Sequence, residues 1–397
     1  MKKLRIQDLT PGLRLLIAGA STRAAAESAA RAGVGVTAID AYADIDQHPS
    51  VCALQAPRPA GVTSADALAA AAAAIDADAV AYLSPFENHP PALTALVRGR
   101  RLLGNSVDVL RRVRHPLVVQ RELERRGFDV PRVIVGRSRG DGAPVSVAPA
   151  AAAAVQSWLL KPLASGGGHG IRACEAGTTP RAGWYMQELI DGWPGSVTFV
   201  AAAGRCRVLA VTRQLVGDPA FGASEYRYCG SLITGADPSG GVSERLSAGA
   251  GALAAAATEA FDLVGVNGID FVARHDVAVP VEINPRWTSS MELVDRMSST
   301  PVMASHIEAC HGSLIAAAPL HGAPLVSGKA VVFARTDVMT PDTREWLNDS
   351  GVRDVPAPRQ RITRGQPICT VFAEASTLDA CYGALVRRAA DVYGLLP

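Results

Sequence analysis

Three oxygen-bearing side chains lie on two apolar segments that are close together in the sequence. The segment GIDFV carries Asp270, and the segment VEINPR carries Glu282 and Asn284. A polar turn, RHD, lies between them, which predicts an antiparallel hairpin. Side chains alternate along a strand, so Glu282 and Asn284 share one face, and the paired strand can bring Asp270 beside them. Carboxylate and amide oxygens of this kind suit Mg²⁺.

The alternative interpretation of these segments is a polar hairpin whose acids are solvated. Both acids, however, lie inside apolar runs. Burial of an unpaired carboxylate in such a run would be costly. The pattern therefore favours a metal site.

A glycine-rich turn follows the one lysine in the middle of the chain. Of 39 basic residues only four are lysines, and the two closest to Lys161 in sequence are Lys3 and Lys329. Lys161 ends a predicted strand, and the turn SGGGHG (165–170) leads into the next one. Bare glycine amides can approach a ligand closely, so this turn could fold over phosphates beside the lysine charge. A flexible hairpin is the alternative, and His169 within it could contact phosphate or only fill the loop.

Composition sets limits on the class of protein. A chain of 397 residues predicts two or three domains, and a net charge of +2 gives no field that would attract nucleic acid or a membrane surface. No apolar run is long enough for a membrane span, and no signal-peptide core follows the first residues, so we expect a cytoplasmic protein. The seven cysteines include no CxxC pair and are interpreted as buried or inert thiols.

The first hundred residues alternate between strand and helix patterns, which predicts a small parallel α/β domain. The turn GASTR after the first strand lacks a G-x-G-x-x-G fingerprint. Ser21, Thr22 and the first helical amides could bind an anion there, or could form an ordinary helix cap. The predicted elements are strands at 13–18, 35–39 and 79–83, and helices from about 23 to 33 and at 65–77.

The remainder of the chain mixes predicted strands and helices without a visible repeat. An arginine-rich helical segment covers 107–126, and a loop with a short helix covers 140–154. A polar, aromatic loop at 225–231 could face a substrate. The other predicted elements are strands at 132–135, 157–162, 171–175, 184–192, 196–202, 206–214, 329–334 and 368–373, and helices at 248–263, 300–311 and 377–393.

These motifs, in this order, resemble the ATP-grasp superfamily of carboxylate ligases, in its carboligase-like, biotin-carboxylase-related branch. The resemblance covers about residues 105–325 and rests on LLKPLASGGGHG (159–170), MQELIDG (186–192), NGIDF (267–271) and VEINPR (281–286). It implies an α/β and α+β protein in four parts. These are an N-terminal parallel α/β domain (1–103), a lid-side subdomain with the glycine-rich loop (104–185), a subdomain with the adenine hinge and metal site (186–325), and a small C-terminal α+β cap (326–397).

The resemblance also implies how ATP would be held. The lysine would contact the α- and β-phosphates, the glycine turn would close over the β- and γ-phosphates, and adenine would bind at the hinge. The residues concerned are Lys161, Gly166, Gly167, Gly168, His169, Gln187 and the backbone of Glu188, Leu189 and Ile190.

The metal and the reacting groups follow from the same resemblance. Asp270, Glu282 and Asn284 would hold one or two Mg²⁺ or Mn²⁺ ions. Arg286 would steady the acyl phosphate or the carboxylate from which it forms, a bidentate task that suits a guanidinium. Ser21, Arg227 and Ser231 are candidate substrate contacts.

Two features depart from the family pattern. The usual lysine on the lid-side helix is replaced by several arginines, of which Arg114 is the predicted substitute. The acidic residue that usually binds the ribose is missing, because the segment WPGS (193–196) stands in its place. The ribose contacts are therefore not assigned.

The function that the resemblance implies is ATP-dependent joining of a small-molecule carboxylate to an amine, in an enzyme that could be a homodimer. Some relatives of this kind join glutamate to an amine during the synthesis of one-carbon carrier coenzymes of the methanofuran and methanopterin types. One alternative is a carboxylase that uses bicarbonate, although no biotin-attachment segment is present. Another is a nucleotide-binding regulatory protein with a degenerate site, against which the intact Lys161, Asp270, Glu282 and Asn284 argue.

Overall fold

The computed structural model of the chain describes residues 12–57, 64–136, 145–146, 157–175, 177–234, 242–315 and 326–396. Within these ranges, no helix combines the length and the apolar character that a membrane span requires. The predicted loop and short helix at 140–154 lie almost wholly outside the described residues. Their described part, Val145–Ser146, is a short strand.

A five-stranded parallel sheet forms the N-terminal part of the chain, as the alternating pattern predicts. Its strand order is β3-β2-β1-β4-β5. The strands β1 and β4 are buried almost throughout, which explains why they appear in the sequence as unbroken apolar runs. The elements are β1 (Arg14–Ala18), α1 (Arg23–Arg31), β2 (Gly35–Asp40), β3 (Val51–Gln55), α2 (Ala65–Ala72), β4 (Ala79–Tyr82), α3 (Pro90–Val97) and β5 (Arg101–Leu102).

The arginine-rich segment at 107–126 forms two short helices, and the prediction of one helix was wrong. Helix α4 (Val107–Val113) ends before Pro116, and α5 (Pro116–Glu124) begins on it. A proline ring disfavours the α conformation in the preceding residue and is well placed at the first position of a helix. Arg114 therefore lies at the break between the two helices.

A second, antiparallel sheet of five strands follows, in the order β7-β6-β10-β8-β9. Strands β8 and β9 are neighbours, with Trp158 opposite Cys174. Residues 165–170, which we call the glycine loop, lie between these two strands. The strands are β6 (Val133–Val135), β7 (Val145–Ser146), β8 (Trp158–Pro162), β9 (Arg172–Cys174) and β10 (Trp184–Glu188).

The largest sheet has eight strands in the order β15-β14-β11-β12-β13-β16-β20-β18. The residues predicted to form a C-terminal cap extend this sheet, because β13 pairs with β16 and β16 with β20. The strands are β11 (Trp193–Ala202), β12 (Arg205–Val216), β13 (Tyr228–Thr234), β14 (Gly265–Arg274), β15 (Val277–Asn284), β16 (Val326–Phe333), β18 (Val352–Arg353) and β20 (Pro367–Ala375), with β17 (Val338–Met339) and β19 (Arg361–Ile362) in a separate pair.

Four further helices surround the large sheet. Helix α6 contacts β12 and β15, and α9 contacts β20 and β16. The cap residues Ser243 and Thr377 accept hydrogen bonds from the first turns of α6 and α9, respectively, which fixes where each helix begins. The helices are α6 (Glu244–Phe261), α7 (Met291–Met297), α8 (Val302–Cys310) and α9 (Leu378–Gly394).

The three large sheets come together around the predicted site residues. Tyr82, at the end of β4, has its hydroxyl 3.0 Å from the carbonyl oxygen of Pro285, just after β15. Asn88 donates a hydrogen bond of 3.1 Å to the carbonyl oxygen of Ser165 in the glycine loop. One region is therefore enclosed by three elements: the carboxyl end of the parallel strand β4, the edge strand β15 of the large sheet, and the glycine loop.

Candidate active site

The predicted acidic hairpin is present, with the predicted pairing. Asp270 on β14 lies opposite Glu282 on β15, and Asn284 lies opposite Gly268. The two turn residues, His275 and Asp276, have φ values of 49° and 61°. Positive φ at both central residues is typical of the two-residue turns that join antiparallel strands.

Asp270 is held by two side-chain amides. Gln214 donates to its Oδ1 over 2.8 Å, and Asn284 donates to its Oδ2 over 2.9 Å. The other end of the Asn284 amide, Oδ1, accepts from Arg286 Nη2 over 3.1 Å. Asp270, Asn284 and Arg286 thus form one hydrogen-bonded chain on the face of the hairpin.

Glu282 is paired with Arg114, which comes from the break between α4 and α5. Arg114 Nη1 lies 2.6 Å from Glu282 Oε1 and donates to the carbonyl oxygen of Ile283 over 2.9 Å. Its Nε donates to Asn88 over 3.0 Å, and its Nη2 donates to Ser165 over 3.2 Å. Arg114, the predicted lysine substitute, therefore connects β15 to the glycine loop.

The two acids have opposite pKa shifts. Burial, and then the charge of Glu282, raise the pKa of Asp270 to about 6. Burial also acts to raise the pKa of Glu282, but the charges of Arg114 and Lys161 outweigh burial and hold it below its ordinary value. Two carboxylates that face each other across a strand pair cannot both be charged at no cost.

This pair of acids fits a magnesium ion. Among the described residues, no three His, Cys, Asp or Glu side chains form a ready-made metal site. Mg²⁺ commonly takes one or two protein carboxylates and completes its shell with water and phosphate oxygens. A cation between Asp270 and Glu282 would offset the repulsion that raises the pKa of Asp270.

Lys161 is buried beside the hinge. Its Nζ donates to Gln187 Oε1 over 2.9 Å, and Gln187 Nε2 donates to the carbonyl oxygen of Val281 over 3.1 Å. The Gln187 side chain therefore joins Lys161 to β15. In the hinge backbone, the amides of Glu188 and Leu189 donate to the carbonyl oxygens of Arg132 and Ser157, respectively.

The glycine loop lies against the segment before β13. The backbone amide of Tyr228 donates to the carbonyl oxygen of Gly167 over 3.2 Å. Gly168 has φ +82°, and a Cβ added to it would lie 1.9 Å from the carbonyl oxygen of Tyr226. Only glycine can make this contact without displacing backbone.

Two cavities lie on either side of this loop. The sheet cavity has a volume of about 470 Å³ and is lined by most of the predicted site residues: Lys161, Gly167, Gly168, Gln187, Glu188, Leu189, Ile190, Asp270, Glu282, Asn284 and Arg286. Of the other predicted nucleotide contacts, His169 lines the second cavity, and Arg114 and Gly166 line neither. The seam cavity has a volume of about 340 Å³ and lies between the N-terminal domain and the large sheet. Gly167, Tyr228, Arg286 and Ser289 line both cavities.

Arg286 is oriented by a residue that the sequence did not single out. Its Nε lies 2.7 Å from Oε1 of the buried Glu87, and its Nη1 donates to the carbonyl oxygen of Trp287 over 3.0 Å. Glu87 and Asn88 follow β4, at the carboxyl end of a parallel strand, where sites in α/β sheets commonly form. The segment SPFEN at that position was the signal that could have identified them.

The three candidate substrate contacts are placed differently. Ser21 and Arg227 line the seam cavity. Ser231 is fully buried within β13, with its hydroxyl 2.9 Å from that of Tyr228, so it lies behind the cavity wall. The prediction that Ser231 lies in a loop was wrong, because β13 begins at Tyr228.

The donors of the possible anion site at the start of α1 are already bonded to a carboxylate of the protein, that of Asp40. The backbone amide and the hydroxyl of Thr22 donate to Asp40 over 3.4 and 3.2 Å. Thr22 precedes α1 but makes no side-chain cap hydrogen bond to it, so the ordinary helix cap is not formed, and Asp40 occupies the Thr22 amide and hydroxyl instead.

Comparison with known proteins gives a domain family and a shared fold. A sequence model of the ATP-grasp domain matches residues 117–290. None of the curated protein sequences compared with the chain matches it. Three similar solved structures are 15–16% identical to the chain, so the likeness concerns the fold alone.

The three structures are all similar in TM-score but differ in length. Pyruvate carboxylase from Rhizobium etli is 16% identical with a TM-score of 0.68, and the match covers 95% of this chain but only 37% of that one. Biotin carboxylase from Campylobacter jejuni, in a β,γ-ATP complex, is 16% identical with a TM-score of 0.69, over 97% and 91% of the two chains. An L-amino acid ligase from Bacillus licheniformis is 15% identical with a TM-score of 0.64, over 96% and 98%.

Proposed function

We propose that the chain, whose residues 117–290 match a sequence model of the ATP-grasp domain, is an ATP-dependent ligase that joins a small-molecule carboxylate to an amine through an acyl phosphate. The observation that carries this proposal is that the sheet cavity and the seam cavity meet at Arg286. A nucleotide in the sheet cavity would have its γ-phosphate next to a carboxylate in the seam cavity. Placement of two reactants in this way supplies much of the catalysis of phosphoryl transfer.

The proposed reaction has two steps. A carboxylate oxygen of the substrate attacks the γ-phosphorus of ATP, the bond to the β–γ bridging oxygen breaks, and ADP leaves. The amine then attacks the acyl carbon, phosphate leaves with the bonding electrons, and the amine nitrogen loses a proton. An amide, ADP and phosphate are the products.

The residues would share the work of charge neutralisation. Lys161 would contact the phosphates from one side, and the glycine loop amides would cover them from the other. Mg²⁺ at Asp270 and Glu282 would neutralise charge on the β- and γ-phosphates. Arg286, held by Glu87, would bind the carboxylate and the acyl phosphate that forms from it.

Glutamate is the carboxylate that the family resemblance suggests first, with the amine of a one-carbon carrier coenzyme precursor as its acceptor. The volume of the seam cavity, about 340 Å³, is compatible with a small acid of this size. We include this reaction in the proposal as one member of the carboxylate–amine class.

The test is release of ADP and phosphate by the purified full chain in the presence of Mg²⁺ and ATP. Candidate carboxylates and amines are added in pairs, glutamate among them, and bicarbonate is added separately. The Glu282→Ala variant is the loss-of-site variant, and Glu374→Ala, at an exposed acid on β20, is the matched control.

Turnover that depends on a carboxylate and an amine, and that Glu282→Ala abolishes, supports the proposal. Equal turnover of parent and Glu282→Ala would remove the metal assignment. Turnover that only bicarbonate stimulates would replace amide formation by carboxylation.

A further inference from the structure

Asn88 and Arg114 hold the beginning of the glycine loop. The carbonyl oxygen of Ser165 accepts a hydrogen bond of 3.1 Å from Asn88 Nδ2 and one of 3.2 Å from Arg114 Nη2. The two side chains are also bonded to each other, because Arg114 Nε donates to Asn88 Oδ1 over 3.0 Å. One backbone oxygen of the loop is thus fixed by two side chains that also fix each other.

The same guanidinium is bonded to β15. Its Nη1 lies 2.6 Å from Oε1 of Glu282 and donates to the carbonyl oxygen of Ile283 over 2.9 Å. This contact uses Oε1, so the second oxygen of the carboxylate, Oε2, can bind a metal ion while the ion pair is kept. We call the group of Asn88, Arg114, Ser165 and Glu282 the latch.

The contacts of Arg114 leave little of it for a phosphate. A guanidinium has five N–H groups, and four of those in Arg114 donate to Asn88, Ser165, Glu282 and Ile283. A bidentate contact with a phosphate needs two N–H groups, so it would break one of these bonds. Neither the sheet cavity nor the seam cavity is lined by Arg114 or Asn88. These observations favour a role in the placement of the loop over direct binding of the nucleotide.

The middle of the glycine loop is held in a different way. The backbone amide of Tyr228 donates to the carbonyl oxygen of Gly167 over 3.2 Å, and Gly168 lies against the carbonyl oxygen of Tyr226. These contacts involve backbone atoms, whereas the bonds to Ser165 come from side chains. Substitution of a side chain can therefore release the beginning of the loop and leave its middle as it is.

We propose that Asn88 and Arg114 are positioning residues, which hold the glycine loop and Glu282 in a fixed relation so that the loop amides and the Mg²⁺ ion meet the same phosphates. This inference rests on the proposed function and specifies what makes nucleotide binding depend on the metal ion. Loss of the latch weakens the binding of the magnesium complex more than that of the metal-free nucleotide.

The first experiment is calorimetry of the full chain with the β,γ-imido analogue of ATP, once with Mg²⁺ and once with EDTA. Asn88→Ala should raise the dissociation constant of the magnesium complex about 3- to 10-fold, because its hydrogen bonds to Ser165 and Arg114 are lost. The dissociation constant of the metal-free analogue should not change. Asn348→Ala, at an exposed asparagine, is the control and should change neither value.

Arg114→Lys distinguishes the latch from a phosphate contact. A lysine keeps the charge and could still bind a phosphate, but one ammonium group cannot replace a planar guanidinium that bonds to Asn88, Ser165 and Glu282 together. We expect the dissociation constant of the magnesium complex to rise about 10- to 100-fold. Arg111→Lys, at an exposed arginine of α4, is the control. An Arg114→Lys variant that binds as the parent does would assign Arg114 to the phosphates and overturn the inference.

Hydrogen exchange is the second measurement, and it needs no nucleotide. Without the bonds to Ser165, the glycine loop should leave Tyr228 more often, so the Tyr228 amide should exchange about 3- to 10-fold faster in Asn88→Ala than in the parent. A purely structural role of Asn88 would instead lower the unfolding midpoint and weaken the binding of both forms of the nucleotide equally, which would contradict the latch.

The two proposals fail in different ways. If the parent binds no nucleotide in the presence of Mg²⁺, the proposed function fails, and exchange at the Tyr228 amide still tests the latch. If the parent binds the magnesium complex and Asn88→Ala equals it in affinity and in exchange, the latch is wrong and the proposed function stands.

Discussion

Two buried groups of charges in this molecule differ in how far the protein satisfies them. Around Arg23, one guanidinium contacts Glu292, Asp354 and Glu27, and Glu292 also pairs with Lys329. Around Asp270, two acids face each other, and the described cations Arg114 and Lys161 lie on the side of Glu282. The first group is complete without a ligand, whereas the second is not.

This difference indicates a structural role for the charges around Arg23 and a binding role for those around Asp270. The group around Arg23 joins α1 to α7, β16 and the C-terminal segment, and all its members are hydrogen-bonded. The group around Asp270 opens onto a cavity and leaves one acid with a raised pKa. A buried charge that the fold leaves uncompensated is a better indicator of a site than burial alone.

The largest expected effect is on stability, from Glu292→Gln. The change leaves the buried Arg23 and Lys329 without their shared carboxylate, and loss of one partner of a buried pair costs about 3–5 kcal/mol. Denaturation by urea measures this loss. Asp342→Asn, which breaks the exposed pair with Arg344, should cause no measurable change.

The loss of stability in Glu292→Gln should depend on pH. The charges of Arg23 and Lys329 outweigh burial and lower the pKa of Glu292 to about 2, against an ordinary value of 4.5. An acid with a lowered pKa stabilises the fold above its ordinary pKa and loses that contribution as the pH falls towards 2. The stabilities of parent and variant should therefore converge between pH 4.5 and 2, and a constant difference would contradict the role given to Glu292.

Next in size is the effect of Glu282→Gln on catalysis. The substitution keeps the shape of the side chain and removes the charge that would hold Mg²⁺, so we expect kcat/KM for ATP to fall about 10²- to 10³-fold. Steady-state kinetics at saturating Mg²⁺ is the measurement. If Glu292→Gln, assayed where it is folded, lost as much activity, the contrast between the two groups would disappear.

Gly168→Ala should have an intermediate effect. A Cβ there would meet the carbonyl oxygen of Tyr226, so the glycine loop could not approach β13, and kcat should fall about 10- to 100-fold. Gly204→Ala is the matched control, since Gly204 also has a positive φ, +73°, but nothing within 4 Å of an added Cβ. Equal losses in the two variants would mean that backbone strain, and not the loop contact, is responsible.

The smallest effect is the pH dependence of metal binding. Asp270 has a raised pKa of about 6, and a metal ligand must be deprotonated, so protons compete with Mg²⁺ as the pH falls through that value. The affinity of the chain for Mg²⁺ with ATP should be about tenfold weaker at pH 5 than at pH 7.5. Calorimetry can measure this change, and Asp270→Asn should remove most of it.

The sequence predicted the site better than it predicted the surroundings of the site. The register of Asp270 with Glu282 followed from strand alternation and one turn, both of which are local properties. The contacts of Glu87 with Arg286 and of Gln214 with Asp270 could not be predicted. The residues of each pair are far apart in sequence, and only tertiary packing brings them together.

Arg114 shows an intermediate case. Its proximity to the site was predicted from family resemblance, but the single helix predicted around it would have fixed its direction with the other arginines. Pro116 breaks that helix, and the break turns Arg114 towards Glu282 while Arg111 and Arg112 remain outside. The proline is visible in the sequence, but the direction in which it leaves Arg114 is known only from the packing of the two helices.

Strand β13 has neighbours that matter for truncation. Its first residue, Tyr228, supports the glycine loop at one edge of the cavities, and along its length it pairs with β16, which lies after residue 325. Removal of the chain beyond that point would leave β13 as an unpaired border of the sheet. The last seventy residues are thus part of the support on which the loop rests, and shortened versions of the protein should be judged with that dependence in mind.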